Sequence, residues 1–196
     1  MELRETLRRR KMVRAFDPRP VPPEVVDRVL WAASRAPSAG YTQGNEFLVL
    51  DEPESVTRFF DLTVDQEYRR LFEKPPPVVV LPLSHKRAYL DRYAEPDKAG
   101  TGMEREEEWP VPYWDVDAGM AAMAMLLAAV DEGLGGWLFG LFGGEQELLR
   151  AFGVPEEFRP IGVIGIGYPA AVPGERGSAA TRRRRRFVEL IHRNGW

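Results

Sequence analysis

The chain has 196 residues, a net charge of −3, a hydrophobic share of 44% and a charged share of 29%, the balance of an ordinary globular protein. It holds no cysteine and only two histidines, His85 and His192, so disulfides, thiolate chemistry and a Cys-rich metal site are excluded, and no bound metal is expected. No apolar run reaches the roughly 18 residues of a membrane span, and the opening MELRETLRRRK lacks the apolar stretch of a secretory signal. The expectation is one cytoplasmic domain, 1–196, with no membrane contact.

In chain order, residues 2–11 read as a helix with Leu3 and Leu7 on one face. A clearer helix opens at Pro23 and Glu24, carries Val26, Val29, Leu30 and Ala33 as a stripe, and ends before Pro37. FLVL (47–50) reads as a short buried strand, 54–73 as an amphipathic helix, and PPPVVVLPL (75–83) as a strand bounded by prolines. Residues 84–114 read as irregular, with an acidic EREEE and an aromatic WPVPYW, the pattern of a lid or substrate loop. The strongest helix spans 115–136, capped by Asp115 or Asp117 and ended at Gly133. It is apolar nearly all round, as in a large core or a subunit interface. WLFGLF (137–142) reads as extended, EQELLRAF as a short helix, and IGVIGIGYP (161–169) as a central strand. The fold class is α+β, with helices packed on a sheet.

Charge is concentrated at the two ends. RRRKMVR (8–14) and RRRRR (182–186) hold five cations each, so the rest of the chain is strongly acidic. Such a body repels a polyanion, and two compact basic patches suit a small phosphate better than nucleic acid. Each run also fits a solvated surface. If the first helix continues, Arg10 and Arg14 share a face; in an extended tail Arg182, Arg184 and Arg186 share a side. Guanidinium forks at either place can grip a phosphate dianion.

Three further stretches carry possible chemistry. GIGYPA (165–170) fits the glycine pattern of a dinucleotide site, but Pro169 and Pro173 stand where its helix must run, so that reading is rejected. RAPSAGYTQGNEF (35–47) is either an ordinary helix–strand turn or an array of backbone and side-chain groups that reads the edge of a heterocycle. GLGGWLFG (133–140) is either a helix cap followed by a strand or a close backbone approach to a ligand plane. Trp109, Tyr113 and Trp114 either roof a ligand or fill the core.

Taken together, RRRKMVRAF, APSAGYTQ, DAGMAAMAMLLAAVDEGLGG, IGIGYP and RRRRRFVELIHRNGW resemble, in order and over nearly the whole chain, the nitroreductase family of FMN-dependent oxidoreductases. The resemblance implies an α+β subunit with a central, mostly antiparallel sheet flanked by helices, and a tail-exchanging homodimer with two FMN sites at its interface. It implies that Arg10, Lys11 and Arg14 hold the FMN phosphate from one side and Arg184 and Arg186 from the other. Pro37, Ser38, Ala39 and Gln43 would meet the ring system, and Gly135 and Gly136 would open the segment beside flavin N5. Trp109, Tyr113, Trp114 and Phe139 would be substrate contacts. The implied activity is ping-pong electron transfer from NAD(P)H through FMN to a small planar acceptor, nitroaromatic or quinone in type, with no side chain acting as catalyst. Met12 departs from the family's serine, Tyr41 from its asparagine, and QGN from its Q-P-W. The competing readings are a flavoprotein of other chemistry (reductive dehalogenation, flavin cleavage or dehydrogenation) and a nucleic-acid binder using the arginine tail.

Overall fold

The computed structural model describes residues 1–65, 73–141, 143–172, 178 and 181–196. Its elements in order are α1 (Leu3–Arg9), α2 (Pro23–Ser34), β1 (Asn45–Leu50), α3 (Pro53–Thr63), β2 (Val78–Ser84), α4 (Lys86–Tyr93), α5 (Tyr113–Asp131), β3 (Gly135–Phe139), α6 (Glu145–Ala151), β4 (Arg159–Pro160) and β5 (Val163–Gly167). All strand pairings are antiparallel and the sheet runs β1-β2-β5-β3, with β4 paired to the end of β2.

The β-branched run of β2 makes it the buried middle of this sheet, every residue out of water. Alternation along the strand then builds two cores. Val78 and Val80, with Ile164 and Ile166 of β5, pack against α2 and α5. Val79, Leu81 and Leu83, with Val163, form a second core shared with Phe59 and Phe60 of α3 and Leu148 of α6. The result is a sheet between two helical layers.

The α2 stripe buries Val26, Val29 and Ala33 as its spacing requires, and Pro23 sits in the first turn. Other boundaries differ from expectation for identifiable reasons. α1 stops at Arg9, because the chain after it extends to pair with β3, and it leaves Leu3 and Leu7 exposed. β1 is an edge strand whose only fully buried residue is Leu50. α3 ends at Thr63, and residues 66–72 of the longer expected helix lie outside the described residues, as do Phe142 and Pro173. Residues 84–114 are not irregular: α4 forms there, with short 3-10 turns at 96–98 and 106–108, because Tyr89 finds a fully buried place in the core. β5 ends at Gly167 and the described residues 168–172 after it are not helical; Phe16 pairs with Pro169 instead, which closes the dinucleotide reading.

α5 starts at Tyr113 with Pro112 before it and without a side-chain cap. Asp115 and Asp117 lie inside the helix and bond to other elements, so neither is the cap expected of them. Gly133, at φ 77°, ends the helix in the left-handed conformation that glycine permits. By length and composition this 19-residue helix could cross a bilayer, yet half of it is buried against the protein, chiefly α2 and the sheet. Its remaining face exposes Val116, Met120 and Met123, and open space stands over Gly119.

Candidate functional site

After α1 the basic segment leaves the helix and meets the outer edge of β3 at one isolated bridge. Met12 bridges Gly136 in parallel, and the Val13 N–H donates to the Gly136 carbonyl at 3.0 Å. The segment leaves α1 at Arg10 and is held to β3 through Met12 and Val13, so Arg10 and Arg14 do not share the face of a continued helix. The close approach needs a glycine: a Cβ on Gly135 would stand 2.5 Å from Val13 Cγ2. Arg14 lies over the Trp137 ring at 5.7 Å, and Trp137 leans on Phe139 at 4.8 Å.

Two features of this edge suit an anionic, partly planar ligand. Among the described residues Arg10, Lys11 and Arg14 have no carboxylate partner, whereas their neighbours Arg8 and Arg9 share Glu5. Leu138 N–H donates to Met12 Sδ at 3.5 Å, and a thioether is a weak acceptor that a better one displaces.

The turn at 37–43 is a second, separate structure. Gly40, Tyr41 and Gln43 have φ of 61°, 56° and 55°, so two side-chain-bearing residues occupy the left-handed region, which disfavours them. Ala39 N–H donates to Asp117 Oδ2 at 2.8 Å, and the same oxygen accepts the Tyr89 hydroxyl at 2.8 Å. Arg92 Nε donates to the Gly40 carbonyl at 3.0 Å while its other nitrogens grip Asp97 at 2.7 Å. Gln43 N–H donates to Ser38 Oγ at 2.9 Å, so the Ser38 hydroxyl keeps its own proton to offer. Tyr93 packs under Gly40, where a Cβ would meet its ring at 2.7 Å.

Burial, then the bond to Asp117, push the Tyr89 hydroxyl well above its ordinary value of 10.0. The folded state thus keeps a proton that the unfolded chain releases, so the contribution is complete below pH 10 and is lost as pH rises beyond it. We expect the stability of the protein to fall from about pH 10 upward more steeply than that of Tyr89→Phe. Urea unfolding at pH 9 and 10.5 checks this; equal slopes for the two proteins would refute it. Arg92 also holds the Asp97 carboxyl below its ordinary value, mainly through their hydrogen bond.

Trp109 and Trp114 take the packing alternative. Both are buried in a cluster with Tyr89, and Trp109 Nε1 donates to the Met103 carbonyl at 2.7 Å. Tyr113 is half-buried at the cluster's edge, and Phe139, half-buried, closes β3 beside Trp137. The arginine tail lies exposed, and its polar contacts among the described residues run within 178–196: Arg186 pairs with Glu189, and Arg185 donates to the Glu189 carbonyl. The side chains of Arg182, Arg183 and Arg184 have no partner among the described residues, although the Arg182 N–H donates to the Ser178 carbonyl at 2.8 Å. Phe187, Val188, Leu190, Ile191 and Trp196 are exposed along with them.

The structure brings Arg10, Lys11 and Arg14 together with Gly135 and Gly136, but within one chain it keeps Pro37, Ser38, Ala39 and Gln43 apart from them. The 37–43 turn feeds β1 at one edge of the sheet, and the basic segment lies beyond β3 at the other. Sequence reasoning missed Asp117, Tyr89 and Arg92. The one available signal was an acid embedded in the apolar run of α5; nothing local marked the other two.

The chain matches the model of the nitroreductase family over residues 7–168. A protein from Methanothermobacter thermautotrophicus, provisionally assigned as an NADH dehydrogenase/NAD(P)H nitroreductase, is 27% identical over 180 residues, covering 90% of this chain and 82% of its own. The fold superposes on a nitroreductase family protein from Streptococcus pneumoniae with a TM-score of 0.72 at 19% identity, covering 98% of this chain and 100% of the other. It also superposes on a provisionally assigned nitroreductase in complex with FMN from Exiguobacterium sibiricum, with a TM-score of 0.73 at 17% identity, covering 99% and 98% of the two chains.

Proposed function

We propose, because the chain belongs to the nitroreductase family, that residues 1–196 form one FMN-binding unit of a homodimeric oxidoreductase. Its donor is NAD(P)H and its acceptor a small planar molecule of nitroaromatic or quinone type. FMN, when bound, would supply the redox chemistry of a ping-pong transfer from donor to acceptor. The observation that carries the reading is the cationic segment 10–14, whose Arg10, Lys11 and Arg14 have no carboxylate partner among the described residues, set against the glycine-opened edge of β3. The FMN held by the Exiguobacterium neighbour supports it.

Arg10, Lys11 and Arg14 hold the phosphate through charge-assisted bonds. Leu138 N–H, released from Met12, and the opened 135–139 segment offer backbone donors to the ring. Ser38 and Gln43 approach the ring's polar edge. Since the two sets lie at opposite edges of the sheet within one chain, the 37–43 turn serves the site of the partner subunit. The bare α5 face, with Val116, Met120 and Met123, is the seam that brings them together. The exposed apolar tail lies over the partner and adds Arg184 to the phosphate. Arg186, tied to Glu189, reaches the phosphate only if that pair opens.

Purified protein is expected to be yellow with the visible bands of flavin, and to bleach on anaerobic mixing with NADH or NADPH. Colourless protein that FMN does not reconstitute would overturn the flavin assignment. Flavin that neither nucleotide bleaches would overturn the donor.

A further inference from the structure

The 37–43 turn holds a backbone it would not choose by itself, with Tyr41 and Gln43 both left-handed. Something outside the turn must impose that shape, and the structure identifies it. We infer that Asp117 is a positioning residue for the flavin ring, acting through the Ala39 N–H that its Oδ2 accepts at 2.8 Å. This rests on the flavin reading above.

Asp117 is nearly fully buried, in the first turns of a helix that is otherwise apolar. A carboxylate in such a place is costly unless each lone pair has a use. Oδ2 takes two donors, Ala39 N–H from the turn and Tyr89 O–H from α4, so one oxygen joins three elements. Ala39 lies between Pro37–Ser38 and the left-handed pair, where its N–H sets the tilt of both. Arg92, anchored on Asp97, fixes the carbonyl of the next residue, Gly40. The turn is thus held by donor and acceptor on adjacent residues, and the groups offered to the ring are preset before any ligand arrives. α4 and the cluster beneath it, within the stretch 84–114, serve as the anchor for this turn.

The test is binding of FMN and of riboflavin to apo-protein, followed by flavin fluorescence, in wild type, Asp117→Ala, Asp117→Asn and Tyr89→Phe. The turn meets the ring and not the phosphate. Asp117→Ala is therefore expected to weaken both flavins by a common factor, about tenfold, the worth of one lost hydrogen bond and a loosened turn. The preference for FMN over riboflavin stays that of wild type. Asp117→Asn restores most of the affinity, because its amide oxygen can still accept from Ala39. Tyr89→Phe leaves affinity within about twofold although it removes a buried bond and lowers the melting temperature. If Asp117→Ala does not fold, Ala39→Pro deletes the N–H while leaving Asp117 on Tyr89, and the same common loss is expected. Unchanged affinity in Asp117→Ala or Ala39→Pro, or equal losses in Asp117→Asn and Tyr89→Phe that merely follow melting temperature, would overturn the inference alone. Wild type that binds neither flavin would overturn the flavin reading and this inference with it.

Discussion

Gly135→Ala is expected to destabilise the protein by about 1–3 kcal/mol, the usual range for forcing a methyl into a filled core. Its φ lies outside the left-handed region, so the penalty is steric. The new Cβ would sit 2.5 Å from Val13 Cγ2, 2.8 Å from its Cβ and 3.1 Å from Cγ1, a contact that only movement of Val13 relieves. Val13 is itself buried with Phe16 and Trp137, and a β-branched side chain has few rotamers to retreat into. The basic segment must then shift away from β3, and the affinity for FMN falls with stability. Val13→Ala in the Gly135→Ala background removes two of the three colliding atoms and leaves only the Cβ contact at 2.8 Å, so part of the clash is relieved and the paired variant should be more stable than the sum of the single losses. Denaturant titration of the four proteins measures this. Simple additivity would show that Val13 and Gly135 do not meet as described.

The double change Arg10→Met with Arg14→Met should weaken FMN about a hundredfold or more while leaving riboflavin binding near wild type. Hydrogen bonds to charged groups contribute about 1.5–3 kcal/mol each, and only FMN carries the phosphate that receives them. Neither arginine has a carboxylate partner among the described residues, so their loss leaves no buried charge stranded. The stacking of Arg14 over Trp137 costs at most about 1 kcal/mol when removed, and methionine keeps most of the stem. Arg8→Met is the control, since Arg8 is occupied by Glu5. Fluorescence titrations with the two flavins decide the matter; equal losses for both, or none for FMN, would remove these arginines from the phosphate.

Periodicity along the chain determined much of the architecture by itself. The stripe in α2, the β-branched run of β2 and the glycine stop after α5 are local patterns whose physics acts within a turn or two, and each stands where its residues place it. The basic segment and the 37–43 turn were legible as candidate segments for the same reason: five cations crowded into residues 8–14, and a proline-broken turn rich in small polar residues. Tertiary structure decided the rest. That Arg10–Arg14 extends and does not remain helical depends on the free edge of β3, more than a hundred residues away. That 84–114 forms a scaffold follows from burial of Tyr89, Trp109 and Trp114 in one cluster. Asp117 looked like a helix cap until the fold brought Ala39 and Tyr89 to its oxygen. A side chain's partners across the core come from the closing of distant segments on one another, and local spacing carries no record of that closure.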